Sequence, residues 1–326
     1  MTAPDEPRSA QPDVPPGLLL VNKPSGVTSH DVVGRVRAIL GTRRVGHAGT
    51  LDPMATGLLV VAVGRATKLL GHLALAHKSY SATIRLGAAT TTDDAEGEII
   101  ARTDASGIGY DAVRAVMAAF TGSIDQVPSS VSAVKVDGRR AYARVRAGEE
   151  VRLAPRRVQV SRFEATAPPR VPDGASEGAL DVDVIVECST GTYVRALARD
   201  LGAALGVGGH LTALRRRVVG PFDVADAVDI YPDGVPVRGE GRRPLPEGLA
   251  AVVRQAMLPV SVAARRAFPA REVDAAQAAD LRHGRPLPAA GVDGTYAVFD
   301  ADGELLALVT EAGTSARPVF VWQAAG

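Results

Sequence analysis

The chain has 326 residues, enough for two domains, and its formal net charge of +1 argues neither for nor against a nucleic-acid partner. Its single cysteine, Cys188, excludes a disulfide framework and a cysteine-rich zinc site, so we expect a reducing, cytoplasmic setting. The longest apolar runs are too short to cross a bilayer, and residues 1–17 lack the basic start and apolar stretch of a secretory signal. We therefore expect neither a membrane protein nor a secreted one.

Charge alternates strongly along the chain although the total is balanced. Residues 23–85 carry nine Lys or Arg against two acidic residues, 135–170 carry ten against four, and 188–220 carry five against one. If these three segments share one face, that face attracts phosphates with a strong salt dependence. Composition alone favours the simpler interpretation, in which the arginines form ordinary solvated surface.

Turn residues and hydrophobic periodicity divide the chain into short strands and amphipathic helices. The first 16 residues contain five prolines and few large apolar side chains, which predicts a disordered tail. Thr28 or Ser29 can cap the first helix, and Gly41 suits its C-terminal end. In chain order, strands are predicted at 17–21, 58–63, 80–86, 158–163 and 180–188. Helices are predicted at 29–40, 110–120, 192–205 and 249–257.

The predicted elements divide the chain into a larger domain over 17–258 and a small β-rich module over 259–326. Within the larger domain, residues 221–248 are rich in Pro, Gly and Asp and predict a linker. After Pro259 the pattern is mainly short strands, with residues 300–303 as a hairpin turn. The mixture of strands and helices places the fold in the α/β (α+β) class.

Familiar cofactor motifs are missing from the sequence. It contains neither a phosphate-binding G-x-x-x-x-G-K-[ST] loop nor a G-x-S-x-G nucleophile elbow. His72 and His77 are five residues apart, which does not place two metal ligands on one helical face. We therefore expect neither a metal nor a nucleotide cofactor.

One segment, residues 46–57, combines three glycines and a proline around a single His and a single Asp. Asp52 precedes Pro53, which disfavours a helical backbone at Asp52. It is also the only carboxylate between Val32 and Asp93, among eight Lys and Arg. An acid in that field stays ionised and can act as a nucleophile. An isolated Asp-Pro, however, more often only caps a turn.

A second segment, residues 188–195, has the sequence CSTGTYVR. Its Ser-Thr-Gly turn opens a helix, with Tyr193 and Arg195 predicted in the first turn. Taken alone, this pattern fits a capped helix whose arginine faces the solvent.

Together these segments resemble the TruB family of tRNA pseudouridine synthases. The matching segments follow the family's order and spacing between about residue 17 and residue 220, which is far more specific than any one motif. Val131 stands where many relatives carry an aromatic residue, so the sequence departs from the family pattern there. The matching segments are 22–30, 46–57, 78–80, 126–135, 138–142, 189–195 and 211–216.

The resemblance implies a pseudouridine synthase fold with a mixed, mainly antiparallel sheet and a C-terminal module similar to PUA-type RNA-binding domains. It implies that the chain binds tRNA and isomerises uridine 55 of the TΨC arm without a cofactor, because no redox step is involved. No obligate protein partner is inferred. Two alternatives stay open: a tRNA-binding folding chaperone, and a pseudouridine synthase that acts on another RNA.

The resemblance also implies roles in chemistry for three residues. Asp52 resembles the family's catalytic nucleophile, and Arg195 resembles the arginine that pairs with it, as a guanidinium can hold a carboxylate through two hydrogen bonds. Tyr80 resembles the tyrosine that stacks on the target base. We expect its hydroxyl to help remove a proton from the base.

Other residues are implied to bind the flipped target base or the RNA around it. Tyr193 resembles a second pocket tyrosine, and Leu214 resembles an apolar wall of the base pocket. His47 resembles the histidine that fills the place the base has left in the stack. Lys23 and residues 43–44 are interpreted either as phosphate contacts or as support for the loop that carries the aspartate.

Overall fold

The structure is a computed structural model, and it describes most of the chain. Val14, near the end of the predicted disordered tail, packs against the main core, whereas residues 1–13 lie outside the described residues. Val131 and residues 236–243 of the predicted linker lie outside them as well. The described residues are 14–129, 153–174, 177–235 and 244–324, with the backbone of two short strands at 135–136 and 139–140.

The described part of the chain contains seven α-helices and nineteen strands. The helices are α1 (Ser29–Leu40), α2 (Leu70–Leu73), α3 (Tyr110–Ala119), α4 (Val194–Ala204), α5 (Leu249–Gln255), α6 (Val260–Ala267) and α7 (Ala275–Arg282). The first nine strands are β1 (Gly17–Lys23), β2 (Val45–Ala48), β3 (Thr56–Val63), β4 (Lys78–Leu86), β5 (Ala88–Thr90), β6 (Ile99–Arg102), β7 (Gly122–Gln126), β8 (Lys135–Val136) and β9 (Arg139–Arg140). The others are β10 (Arg156–Ala165), β11 (Leu180–Cys188), β12 (Gly209–Val219), β13 (Phe222–Asp223), β14 (Leu258–Pro259), β15 (Ala270–Glu272), β16 (Leu287–Pro288), β17 (Thr295–Phe299), β18 (Leu305–Ala312) and β19 (Ser315–Val321).

A mixed ten-stranded sheet forms the body of the molecule. Its main path runs β14-β1-β3-β12-β4-β11-β10-β7, with β2 paired to β3 and β13 paired to β12. Among its described pairs only β3 with β12 is parallel, so the predicted mixed, mainly antiparallel sheet is confirmed. The C-terminal region forms a separate five-stranded sheet in the order β15-β17-β18-β19-β16.

The apolar run of β3 has no polar alternation because both of its faces are covered. Leu59 and Val61 pack with α1 on one side of the sheet. Leu58 and Val60 pack on the other side with α6 and with apolar residues of the C-terminal sheet, including Phe299. The central strands are therefore held rigidly from both sides, and they support the loop that precedes β3.

The start of α1 forms as predicted. Thr28 accepts a hydrogen bond from the backbone of Asp31, and the Asp31 carboxylate accepts one from the backbone of Thr28 in return. The helix ends at Gly41, whose φ of 67° is the left-handed conformation that glycine adopts without strain. This helix packs behind the sheet and fixes the chain that leads to β2.

Three sequence-based predictions need correction. The predicted loop at 46–57 is shorter, because residues 45–48 pair with β3 as strand β2. Tyr193 precedes α4 in an extended conformation instead of lying in its first turn. The module after Pro259 contains two short helices, α6 and α7, whose apolar residues are mostly alanine, and α7 has no clear apolar stripe.

The predicted linker is packed against the body in its first part. Val228 forms a bridge to Val21 of β1, and Ile230 is completely buried. Arg35 of α1 stacks on Tyr231 with its guanidinium carbon 4.5 Å from the ring centre. Proline and glycine in this stretch therefore make turns along a packed chain. No helix of the described residues is long and apolar enough to span a membrane.

Gly57 is the position where a side chain is least tolerable at the start of β3. Its φ is +96°, and an added Cβ would overlap the backbone carbonyl oxygen of Arg216. We expect Gly57→Ala to lower the free energy of unfolding by more than about 3 kcal/mol, because strain and a backbone clash add. Urea denaturation followed by circular dichroism measures this.

Gly71 provides the matched control. It lies in α2, and a Cβ there would meet no atom within 4 Å. Gly71→Ala is expected to change stability by less than about 1 kcal/mol. Similar losses in both variants would contradict the packing described for β3 and β12.

Candidate active site

Five residues singled out in the sequence line one cavity. The cavity has a volume of about 270 Å³ and lies between the loop of residues 49–55, strands β4 and β12, and the start of α4. We call residues 49–55 the Asp52 loop. The five residues are Asp52, Tyr80, Tyr193, Arg195 and Leu214.

A salt bridge joins two of them. Arg195 Nε lies 3.0 Å from Asp52 Oδ2, with the Arg195 side chain 6% exposed and the Asp52 side chain 36% exposed. The carboxylate therefore reaches the cavity while its partner stays inside the protein. An ion pair in this position limits the directions in which the Asp52 carboxylate can point.

Arg195 is held from its other side by the segment between β5 and β6. Its Nη1 donates a 2.8 Å hydrogen bond to the Thr92 carbonyl oxygen and lies 3.4 Å from Asp94 Oδ2. Asp94 is buried, and its Oδ1 accepts hydrogen bonds from Thr92 Oγ1 and from the backbone of Glu96. Two carboxylates thus compensate one buried guanidinium, which fixes it more firmly than Asp52 alone could.

The Asp52 loop is clamped at two points by the β1–α1 region. Lys23, which is completely buried, donates hydrogen bonds to the carbonyl oxygens of Pro53 at 3.1 Å and Val27 at 2.6 Å. Ser29 Oγ accepts from the Leu51 backbone at 2.9 Å and donates to its carbonyl oxygen at 3.1 Å. Of the two interpretations of Lys23, loop support is the one that these contacts favour.

Arg216 holds the same loop from β12. Its Nε donates to the Leu58 carbonyl oxygen at 2.7 Å, and its Nη2 donates to that of Gly49 at 3.0 Å. Its Nη1 lies 3.4 Å from the carbonyl oxygen of Thr50. Arg216 is 1% exposed and lines the cavity, as does the buried Lys78 of β4.

Tyr80 is buried on β4, directly opposite Arg216 in the β4–β12 register. Burial raises the pKa of its hydroxyl to about 12, although the charge of Arg216 acts in the opposite direction. Tyr80 therefore has a protonated hydroxyl at neutral pH, and its expected part in proton removal stays a prediction.

The remaining predicted residues occupy different positions. Gln126 exchanges two hydrogen bonds with the Tyr193 backbone, at 2.8 and 3.1 Å, and so places Tyr193 at the cavity wall. His47 does not line the cavity; it lies on β2, where burial and then Arg216 lower the pKa of its imidazole. Residues 43–44 are exposed, in keeping with their predicted phosphate contacts, which stay a prediction.

Sequence reasoning missed Asp94, Lys78 and Arg216 as parts of this site. Asp94 belongs to an acidic stretch, residues 90–98, that looks like an ordinary exposed turn. Its neighbour Asp93 has a φ of 60°, a left-handed backbone conformation that the sequence pattern does not predict. The fold buries Asp94 only because Arg195 arrives from α4, more than a hundred residues later.

Three segments of the chain match domains of one family. Residues 37–194 match the N-terminal domain of TruB family pseudouridylate synthases, 195–231 match the C-terminal domain of tRNA pseudouridylate synthase B, and 268–323 match the C-terminal domain of tRNA pseudouridine synthase II. A tRNA pseudouridine synthase B from Nocardia farcinica is 56% identical over 307 residues, which are 94% of this chain and 92% of the relative. The chain belongs to the TruB family of pseudouridine synthases.

Further relatives agree with this TruB membership. A tRNA pseudouridine synthase B from Rhodococcus jostii is 55% identical over 323 residues, which are 98% of both chains. A chain from a solved Cbf5-Nop10-Gar1 complex has a TM-score of 0.67 at 25% identity, over 98% of this chain and 93% of that one. A chain from an H/ACA RNP bound to a substrate RNA containing 2'-deoxyuridine has a TM-score of 0.64 at 25% identity, covering 94% and 84%. The family and the fold class predicted from the sequence are confirmed.

The buried Lys78 ammonium of this TruB-family chain predicts a pH-dependent stability. Burial, followed by the charge of Arg216, lowers the pKa of Lys78 from 10.5 to about 8. Between these values the unfolded chain binds this proton and the folded chain does not, so the group's contribution to stability rises with pH. The free energy of unfolding of the wild type, relative to Lys78→Met, is expected to increase from pH 8 to 10.5.

Denaturant unfolding at several pH values in this range measures that difference. Lys68→Met is the matched control, because Lys68 is exposed and its removal should leave the pH dependence of the wild type unchanged. Parallel curves for the wild type and Lys78→Met would contradict the lowered pKa of Lys78.

Proposed function

We propose that this chain isomerises uridine 55 in the TΨC arm of tRNA to pseudouridine. The observation that carries the proposal is the Asp52–Arg195 salt bridge at the wall of a cavity that also holds two tyrosines and a leucine. The relatives that match nearly the whole chain are tRNA pseudouridine synthases B. A tRNA substrate supports a cytoplasmic location for the proposed activity.

The proposed reaction needs a nucleophile and no redox partner. The bond between ribose C1′ and uracil N1 breaks, the uracil turns, and C1′ bonds to C5, which loses its proton while N1 gains one. In this scheme the Asp52 carboxylate is the nucleophile: it bonds to C1′ as the C1′–N1 bond breaks and is released when C1′ bonds to C5, and Arg195 keeps it aimed into the cavity. We predict that no metal or nucleotide cofactor is needed, and activity that survives EDTA would test this.

The size and lining of the cavity support a single flipped base. Its volume of about 270 Å³ lies just below the range of drug-sized pockets, roughly 300–1,000 Å³. A base in the folded elbow of tRNA is stacked, so it must leave the stack to reach Asp52. Tyr80 supplies a ring and a hydroxyl for it, Leu214 an apolar wall, and Tyr193 a second ring. We propose that His47, outside the cavity, takes the vacated place in the stack.

Two alternative functions make different predictions. A folding chaperone without chemistry would not need a carboxylate held against a buried guanidinium, so the Asp52–Arg195–Asp94 arrangement argues against it. A synthase for another RNA would keep the same chemistry and differ only in its substrate. A chaperone would form no pseudouridine, and the two synthase functions differ in which uridine reacts.

In vitro modification of transcribed tRNA tests the proposed substrate. Purified chain is incubated with full-length tRNA, with the isolated T-arm stem-loop, and with a tRNA carrying cytidine at position 55. We expect pseudouridine at position 55 alone in the first two RNAs and none in the third. Pseudouridine at other positions, or none in any tRNA, would contradict the proposed function.

Asp52→Asn tests the proposed nucleophile because it keeps the shape of the side chain and removes its charge. We expect single-turnover pseudouridine formation to fall by at least about 10³-fold, or ~4 kcal/mol of barrier, with tRNA affinity nearly unchanged. Asp111→Asn, an exposed change in the first turn of α3, is the matched control and should retain full activity. Activity of Asp52→Asn within tenfold of the wild type would remove Asp52 from the nucleophile role.

A further inference from the structure

Arg216 is a buried cation without a described use in the proposed chemistry. It is the largest fully buried side chain among the described residues, at 1% exposure, and it lines the cavity beside Tyr80. Support of the Asp52 loop explains its contacts with three carbonyl oxygens. Loop support does not explain why the donor is a charged guanidinium, since neutral donors could bind the same carbonyl oxygens.

The charge of Arg216 is not cancelled by a neighbouring acid. Within the part of the chain that the structure describes, no carboxylate forms a salt bridge with it, and its hydrogen-bond acceptors are neutral carbonyl oxygens. Asp52, the one carboxylate that lines the cavity, is paired with Arg195. Lys78 adds a second cation at the same wall, bonded to the carbonyl oxygens of Ala74 and Ala76. The cavity therefore holds positive charge that a bound anion would balance, since buried charge without compensation is costly.

Cleavage of the glycosidic bond creates such an anion in this cavity. When C1′–N1 breaks, both electrons stay on uracil, and the charge spreads over N1 and the two carbonyl oxygens. C1′ bonds to the Asp52 carboxylate in the same step. Fixed donors and cations aimed at developing negative charge are a main source of catalysis, with about 10²–10³-fold lost when one donor is removed.

Tyr80 lies beside Arg216 in the wall that faces this anion. The two residues are opposite each other in the β4–β12 register, and both line the cavity. A neutral tyrosine hydroxyl has one proton to donate, and a neighbouring positive charge polarises such a donor. That proton is free for a carbonyl oxygen of the base.

We propose that Arg216, together with the Tyr80 hydroxyl beside it, stabilises the uracil anion released during isomerisation. Tyr80 keeps its proton throughout and donates a hydrogen bond to a uracil oxygen, so no proton is transferred at this step. Arg216 is thus a positioning and electrostatic residue, in addition to supporting the Asp52 loop. The proposal rests on the proposed function, because it needs a uridine whose glycosidic bond is broken.

A leaving-group comparison separates this role from structural support. T-arm RNA carrying uridine or 5-fluorouridine at position 55 is reacted in single-turnover conditions, and loss of the original nucleoside is followed. Fluorine withdraws electrons and stabilises the uracil anion, so the fluorinated base needs less help from the protein. We expect Arg216→Gln to slow uridine loss by about 10²-fold or more. The fold-reduction for 5-fluorouridine loss is expected to be at least ten times smaller.

Control variants and an isotope complete the design. Arg217→Gln changes the exposed neighbour of Arg216 on the same strand and should slow neither RNA. Arg216→Lys keeps the charge and should recover part of the rate for uridine. Tyr80→Phe should show the same dependence on the leaving group. This variant tests the proposal even if Arg216→Gln does not fold. Deuterium at C5 of uridine should not slow Tyr80→Phe further, because proton removal is not the step that the hydroxyl assists.

Two results would overturn the proposal. Equal losses for uridine and 5-fluorouridine in folded Arg216→Gln and in Tyr80→Phe would leave Arg216 as loop support only. A deuterium effect that appears in Tyr80→Phe and not in the wild type would make Tyr80 part of proton removal. Failure of the proposed function gives a different result, since the wild-type chain would then convert neither RNA.

Discussion

The salt bridge between Asp52 and Arg195 is the interaction on which the rest of the site depends. A guanidinium that is 6% exposed would be strongly destabilising without partners, and here the partners are Asp52 from one loop and Asp94 from another. Segments separated by about forty and a hundred residues therefore meet at one side chain. These charges are stable in the interior only when the fold brings the segment before β3, the β5–β6 segment and α4 together, because each charge then has a partner.

The body of the protein is built to keep the Asp52 loop in one position. Lys23 and Ser29 hold it from the β1–α1 side, and Arg216 holds it from β12. The strands on either side are covered on both faces, so the loop is anchored to the most rigid part of the sheet. A nucleophile benefits from such support, because small displacements of reacting groups lower rates greatly.

Sequence reasoning predicted the parts of the fold that depend on local pattern. The apolar run of β3, the alternation of β4 and the capping box of α1 each carry their own signal, and Asp52 stood out as a lone acid in a basic, glycine-rich loop. It failed where a neighbour far along the chain decides the outcome. Strand β2 exists because β3 offers it an edge, and Asp94 is buried because Arg195 reaches it.

The environment of Tyr80 shows the same limit. The expectation that its hydroxyl helps to remove a proton comes from the family resemblance and from the need for a proton acceptor besides Asp52, and it stays a prediction. Only the packing around β4 reveals that burial raises the pKa of its hydroxyl to about 12. The same packing reveals that the positive charge near it, on Arg216 and Lys78, is enclosed in the protein and is not available to RNA phosphates.

Pseudouridine mapping across the tRNAs of cells tests the central claim most directly. Cells that lack the gene for this chain are complemented with the wild-type chain or with Asp52→Asn at equal expression. The account predicts that position 55 lacks pseudouridine in the deletion, regains it with the wild type and stays unmodified with Asp52→Asn. Pseudouridine at position 55 in the deletion, or its return with Asp52→Asn, would contradict the account.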